Sequence, residues 1–292
     1  MTERAGTERV RRFRRARGAV IRALATLGVL LFFHGAAAAQ SAFQIYPSFE
    51  GADTDAPLPP DWQLPGELVI GRLMYPSVGR GFFGGDWQRG GTGWTDDYPR
   101  GDRTFVQMLR RFTRTQVRAV EQPVNINNAG DTGFWPFMVV GLAMSWQITD
   151  TQAATLREYL LRGGFLFFDS FFGTRNWLAF EEGLRRVFPD RPIIDLGDDH
   201  PIFHVVFDLP SMTSVQIPNA NSLSWGGYLG GDGAVPRWRG IEDETGRLMV
   251  LIAYNNDVMD GWQWADDPRY PGDKANLALR LGVNVAMYAM TH

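Results

Sequence analysis

The chain has 292 residues, a formal net charge of −3, 45% hydrophobic residues and no cysteine. Lack of cysteine excludes disulfides, thiolate metal sites and cysteine nucleophiles. The acidic balance argues against nucleic acid, whose phosphates must be met by a positive patch. Residues 1–39 read as a secretory signal peptide: Arg9, Arg11, Arg12, Arg14, Arg15 and Arg17 form the basic region, residues 23–33 the apolar run, and Ala37, Ala38 and Ala39 the cleavage site. The apolar run is well short of the ~20 residues a membrane span needs. Eight of the 29 basic and two of the 32 acidic residues precede Gln40, so the remaining 253 residues carry a charge of −9. The expected product is exported, periplasmic or extracellular, with no stable membrane span after cleavage near Ala39.

Residues 40–66 form a proline-rich lead-in, and residues 67–292 a single domain. Residues 67–75 (ELVIGRLMY) read as the first strand. Residues 76–93 follow as a long loop with seven glycines, suited to a lid or partner contact, without the phosphate-binding spacing of a nucleotide loop. Asp102 is expected to cap a helix whose buried stripe is Phe105, Met108, Leu109 and Phe112. Residues 117–124 and 136–143 read as the second and third strands. Thr149 and Gln152 form a capping box, opening a helix that ends before Gly163. Phe165, Leu166, Phe167 and Phe168 are apolar on both faces, as in the centre of a parallel sheet.

Asp169 and Ser170 come where that run stops, and ligands of open α/β sheets bind beyond the carboxyl ends of strands. A helix striped by Trp177, Phe180, Leu184, Val187 and Phe188 follows, then a short strand at 192–196. Residues 238–243 and 248–254 flank a Glu244-Thr245-Gly246 turn as a hairpin. Residues 255–273 read as a long loop and 274–290 as a last helix, with Leu277, Leu281, Val285 and Tyr288 facing inward. Strands alternating with helices predict an α/β fold with a mostly parallel sheet, helices on both faces and long loops.

Five further segments stand out: Thr95-Asp96-Asp97-Tyr98-Pro99-Arg100 with Asp102-Arg103, Leu156-Arg157-Glu158-Tyr159-Leu160 with Gly163-Gly164-Phe165-Leu166, Val187-Phe188-Pro189, Asp199-His200-Pro201-Ile202-Phe203-His204, and Leu281-Gly282-Val283-Asn284. Together they resemble the bacterial family called domain of unknown function 4159. The resemblance implies a three-layer, flavodoxin-like fold of the glutamine-amidotransferase-like superfamily. It also implies work alongside von Willebrand-type and MoxR-type envelope proteins. In that superfamily the nucleophilic cysteine sits on a tight elbow at the place of Asp169 and Ser170. Neither is cysteine, and none of His200, His204 or His292 begins a His-x-Glu, so amidotransferase chemistry is not expected.

The candidate ligand cleft is drawn from loops that should follow strand ends: Asp96, Asp97 and Tyr98, Asp169 and Ser170, and Asn255, Asp257, Asp260 and Trp262. Aromatic faces beside carboxylates suit sugar rings, through stacking and hydrogen bonds from hydroxyls. Asp199, His200 and His204 form a weaker metal alternative. Two histidines lack a third near ligand, and Asp-His-Pro is a sufficient turn, so neither metal nor cofactor is expected. A serine nucleophile at Ser170 is disfavoured because Phe168, Phe171 and Phe172 are bulky for a strained elbow. The expected function is a non-catalytic ligand-binding or envelope scaffold module, whose partner is a small molecule, a carbohydrate or an envelope protein. The alternative is a carboxylate-dependent hydrolase of envelope carbohydrate using Asp97, Asp169, Asp257 or Asp260.

Overall fold

The computed structural model describes residues 40–51, 56–77, 85–229 and 231–292. The expected signal peptide and Gly79, Gly81 and Gly84 of the first glycine-rich loop lie outside the described residues. Seven strands form one sheet: β1 Ile70–Met74, β2 Gln122–Asn125, β3 Phe137–Val140, β4 Phe165–Phe171, β5 Ile194–Asp195, β6 Arg237–Glu242 and β7 Leu248–Tyr254. Their spatial order is β2-β1-β3-β4-β7-β6-β5. The first five in that order are mutually parallel, and β6 runs antiparallel to both β7 and β5.

The helices that cover the sheet are α1 Arg100–Phe112, the short α2 Ala129–Thr132, α3 Asp150–Leu161, α4 Thr174–Val187, α5 Val258–Gln263 and α6 Gly272–Thr291. On one face Phe105, Leu109, Met259, Trp262, Leu281 and Val285 of α1, α5 and α6 pack on Ile70, Phe137, Val139, Phe165, Phe167 and Leu251. On the other, Leu156 and Leu160 of α3 and Phe180 and Leu184 of α4 pack on Met138, Val140, Leu166, Phe168, Val250 and Ile252. Alternate residues of β4 thus feed two cores, which is why the strand is apolar throughout. No helix among the described residues is long and apolar enough to cross a membrane.

The capping box of α3 forms as the sequence predicts, with Gln152 N donating to Thr149 Oγ1 at 3.3 Å and Thr149 N to Gln152 Oε1 at 2.9 Å. Other boundaries move. Pro99, not Asp102, caps α1, while Asp102 lies in the first turn and is fully buried against Arg72. Phe112 is exposed because α1 ends there, beyond the sheet it packs on. The second strand begins only at Gln122, since Val117 makes just an isolated bridge to Leu68. Pro123 is tolerated because β2 is an edge strand. Residues 258–263, expected as loop, are helical because the Asp257 carboxylate accepts from the amide of Asp260 as an N-cap. Strand order reverses between β1 and β3, so Asp169, on β4, stands one strand from the switch point.

Candidate functional site

Four non-glycine residues among those described have positive φ: Asp97 (59°), Leu142 (47°), Ser170 (65°) and Asn255 (60°). Each follows or ends a parallel strand, so all belong to the carboxyl edge of the sheet. Such backbone costs about 1–2 kcal/mol per residue and persists where surroundings enforce it. At Ser170 the cause is visible. The pairing of β4 with β7 shifts register between Phe168 and Phe171, and the chain re-pairs when Asn255 N donates to Phe171 O at 3.0 Å. The Asn255 side chain completes the brace, accepting from Gly173 N at 2.9 Å and donating to Val235 O at 2.7 Å. The sequence expectation that phenylalanine flanks preclude a strained elbow is therefore overturned. Phe168 and Phe171 are housed in the core beside Phe180, leaving the backbone between them to turn.

The turn directs the Ser170 hydroxyl into a cluster of acids. Its Oγ lies 3.0 Å from Asp257 Oδ1 and 3.4 Å from Asp97 Oδ2. Asp257 also accepts from Asn219 Nδ2 at 2.9 Å, and Asp260 accepts from Ala220 N at 2.7 Å and Trp264 Nε1 at 2.9 Å. Asp169 accepts from Met259 N at 2.7 Å through Oδ2, while its Oδ1 is buried with no partner. Asp97, Asp169, Asp257 and Asp260 are each 97% or more buried. One carboxylate oxygen from each of Asp97, Asp257 and Asp260 lies within 4.8 Å of the others. The loops after β1 and β7 supply Asp97, Asp257 and Asp260, β4 itself carries Asp169 and Ser170, and the segment between β5 and β6 adds Asn219 and Ala220.

Burial dominates the proton affinities. It pushes Asp257 up to about 6. It holds Asp97, Asp169 and Asp260 well above the usual carboxylate range, with Asp96 adding to the effect at Asp97 and Asp257 adding to it at the other two. Asp96, half-buried, is raised by burial and then by Glu50. Beneath the cluster Arg72 donates to Asp102 from Nε at 3.3 Å and from Nη2 at 2.9 and 3.0 Å, and from Nη1 to Asp96 O and Met259 Sδ.

Above the cluster opens a cleft of about 490 Å3. Its lining includes Glu50, Asp96, Ala220, Trp264, Arg269 and Tyr270. Glu50 Oε2 joins the two levels, accepting from Asp97 N at 3.1 Å and Gln263 Nε2 at 2.9 Å.

A family model described as a domain of unknown function (DUF4159) matches residues 86–290. The chain belongs to this family. No curated protein matches the chain. The DUF4159 match contains every acid of the buried cluster and leaves out Glu50, which comes from the lead-in.

Within this DUF4159 domain, the candidates read from sequence divide. Asp96, Asp97, Asp169, Ser170, Asp257 and Asp260 converge as described. Tyr98 and Trp262 do not reach the cleft. Tyr98 is fully buried beside Trp94, and its hydroxyl accepts from Tyr46 N. Trp262 stacks on Phe105 at 4.2 Å and donates to Ala278 O in the core. Asn255 braces the elbow. The tryptophan that does line the cleft is Trp264, two residues on, which the α5 helix turns away from the core.

The histidines lie elsewhere. His200 sits beside Glu242 and Tyr288, and Tyr288 bonds the amide of Leu248 at the opening of β7. That is the edge of the sheet opposite Ser170, a seven-residue strand or roughly 20 Å away. His200 Nδ1 accepts from Ile202 N, and the His204 ring bonds Asp198 O and Asp208. Both rings serve the local turn, so the weaker metal alternative with Asp199 has no free imidazole pair to use. Sequence reasoning missed Glu50 and Asn219, and of the loop ending at Trp264 it chose Trp262 as the cleft aromatic. Only Trp264 carried a signal: Val258, Met259 and Trp262 share one helical face, and residue 264 falls out of phase with it.

Proposed function

We propose that the protein is an exported, non-catalytic module that binds a small polyhydroxylated or carbohydrate ligand of the cell envelope in the cleft above the acidic cluster. The observation that carries this is the lining of the cleft, where Trp264 stands beside Glu50 and Asp96 with Arg269 at the rim. An aromatic face stacks on the apolar side of a sugar ring, and carboxylates accept from its hydroxyls. Export is supported by the basic and apolar pattern of residues 1–39.

Two features weigh against chemistry. Among the described residues no imidazole meets the Ser170 hydroxyl, so the serine–histidine pairing that commonly activates this nucleophile is not formed. The carboxylates are almost wholly buried, whereas a glycosidase must admit the scissile bond between its acid pair. Calorimetric titration with soluble peptidoglycan fragments and neutral oligosaccharides tests the reading. Binding without release of reducing ends is the expected result. Failure of every fragment to bind, or reducing-end release abolished by Asp97→Asn, would sink it.

A further inference from the structure

We infer that Asp97, Asp257 and Asp260, together with the Ser170 hydroxyl and the Asn219 side-chain oxygen, form a binding site for one hard divalent cation, best matched by Ca2+. The inference deepens the binding reading and rests on it in one respect, that the cation would offer its outer coordination positions to ligand hydroxyls entering the cleft.

The donor set selects the class of ion. Every group is an oxygen, with no imidazole or thiolate, which suits a hard cation. The three carboxylate oxygens lie within 4.8 Å of one another. Five protein oxygens converging on one ion suit Ca2+, which takes about 6–8 oxygen ligands, better than Mg2+, which keeps several of its waters.

A second observation is independent of the acids. Asn219 is nine-tenths buried, and its Oδ1 has no hydrogen-bond partner. The other atom of the same amide, Nδ2, lies 2.9 Å from Asp257 Oδ2. The orphaned oxygen is therefore held at the cluster itself, where a polar atom without a partner is costly. Each group that hydrogen-bonds the three carboxylates is neutral: the Ser170 hydroxyl, the Asn219 amide, the Trp264 indole and the backbone amides of Ala220 and Asp260. Arg72, the buried guanidinium below, gives its side-chain hydrogen bonds among the acids to Asp102 and reaches Asp97 only through its field. One guanidinium shared in this way leaves three buried carboxylates short of positive charge, and a bound cation would supply it.

The test uses the protein stripped with EDTA and dialysed, then titrated with CaCl2, MgCl2 and MnCl2. One Ca2+ per chain is expected, with a Tm rise of about 5–10 °C at a hundredfold excess over Kd. Tb3+ should be sensitised by tryptophan excitation, because Trp264 touches Asp260, and Ca2+ should compete the emission away. Asp257→Asn should weaken Ca2+ at least about tenfold, while Asp190→Asn, an exposed carboxylate paired with Arg157 away from the cleft, should not. Absence of heat and of Tm shift with all three ions at millimolar concentration would overturn the site. So would unchanged affinity in folded Asp97→Asn and Asp257→Asn. If those variants fail to fold, stoichiometry and Tb3+ competition on the unaltered chain decide. Oligosaccharide binding by a protein that takes up no Ca2+ in the titration overturns the cation and spares the cleft. Calcium binding without any oligosaccharide binding does the reverse.

Discussion

The hydroxyl of Ser170 meets the carboxylate of Asp257 at 3.0 Å across 87 residues of chain. One residue ends β4 and the other opens α5, and both owe their position to adjacent parallel strands. The contact also depends on a strained backbone, since only the left-handed turn at Ser170 aims Oγ at the acids.

That strain can be separated from the hydrogen bond. Ser170→Ala keeps φ at 65° and loses a hydroxyl that serves buried carboxylates, a loss worth about 1.5–3 kcal/mol. Ser170→Gly loses the same hydroxyl but relieves about 1–2 kcal/mol of left-handed strain. Chemical denaturation should therefore find the glycine variant more stable than the alanine variant. The reverse order would mean that the elbow is not strained.

The cluster should also set a pH dependence. Burial raises Asp257 to about 6 and Asp97, Asp169 and Asp260 further, whereas unfolded aspartate titrates near ~3.9. The native state thus holds these protons more tightly. Their contribution to stability is complete below about pH 4 and is lost as pH rises through about 6 and beyond. Surface carboxylates such as Asp190 and Asp267, held down to about 2 by Arg157 and Arg269, contribute in the opposite sense, above about pH 4, and lose their contribution only below it. In EDTA, Tm should fall between pH 5 and pH 7.5, and fall less steeply in Asp257→Asn. Equal slopes in the two proteins would contradict the assignment.

Trp262 and Trp264 should behave as opposites. Trp262→Ala empties a core position stacked on Phe105 and should cost about 3–5 kcal/mol. Trp264→Ala removes a half-buried cleft wall, so it should cost clearly less stability and weaken oligosaccharide binding. Thermal melts and calorimetry on both variants check the pair.

Arg72 and Asp102 form a bidentate ion pair with both side chains fully buried. Asp102→Leu strands a buried guanidinium and should cost about 3–5 kcal/mol. The double variant Arg72→Met with Asp102→Leu should recover most of that loss, because the pair's desolvation offsets much of its attraction. Urea unfolding of the two proteins provides the comparison. No recovery would show that the pair also supports the loop through Asp96 O.

Local chemistry was readable in advance wherever the determinants sit close in sequence. Thr149 and Gln152 are three residues apart, and their reciprocal bonds define the start of α3. The run from Phe165 to Phe168 marks a strand buried on both faces, and the Glu244-Thr245-Gly246 turn marks the hairpin of β6 and β7. The acids at the strand ends could be nominated because loops beyond parallel strands share one edge.

What lay beyond the sequence is whatever depends on strand order, helical phase or a distant segment. Glu50 reaches Gln263 across 213 residues, and no periodicity encodes that meeting. Trp262 and Trp264 have identical chemistry, and the phase that sends one to the core and the other to the cleft could be read only once residues 258–263 are helical, as the Asp257 cap makes them. His200 lies a strand's length from Ser170, a separation that only the run of β7 sets. Periodicity and caps act over a few residues, so the sequence alone determined the longer helices, the buried strand and the absence of an amidotransferase cysteine, while the short α5 was read as loop. The order β1-β3-β4-β7, chosen by how two apolar faces pack, decided which acids share a site.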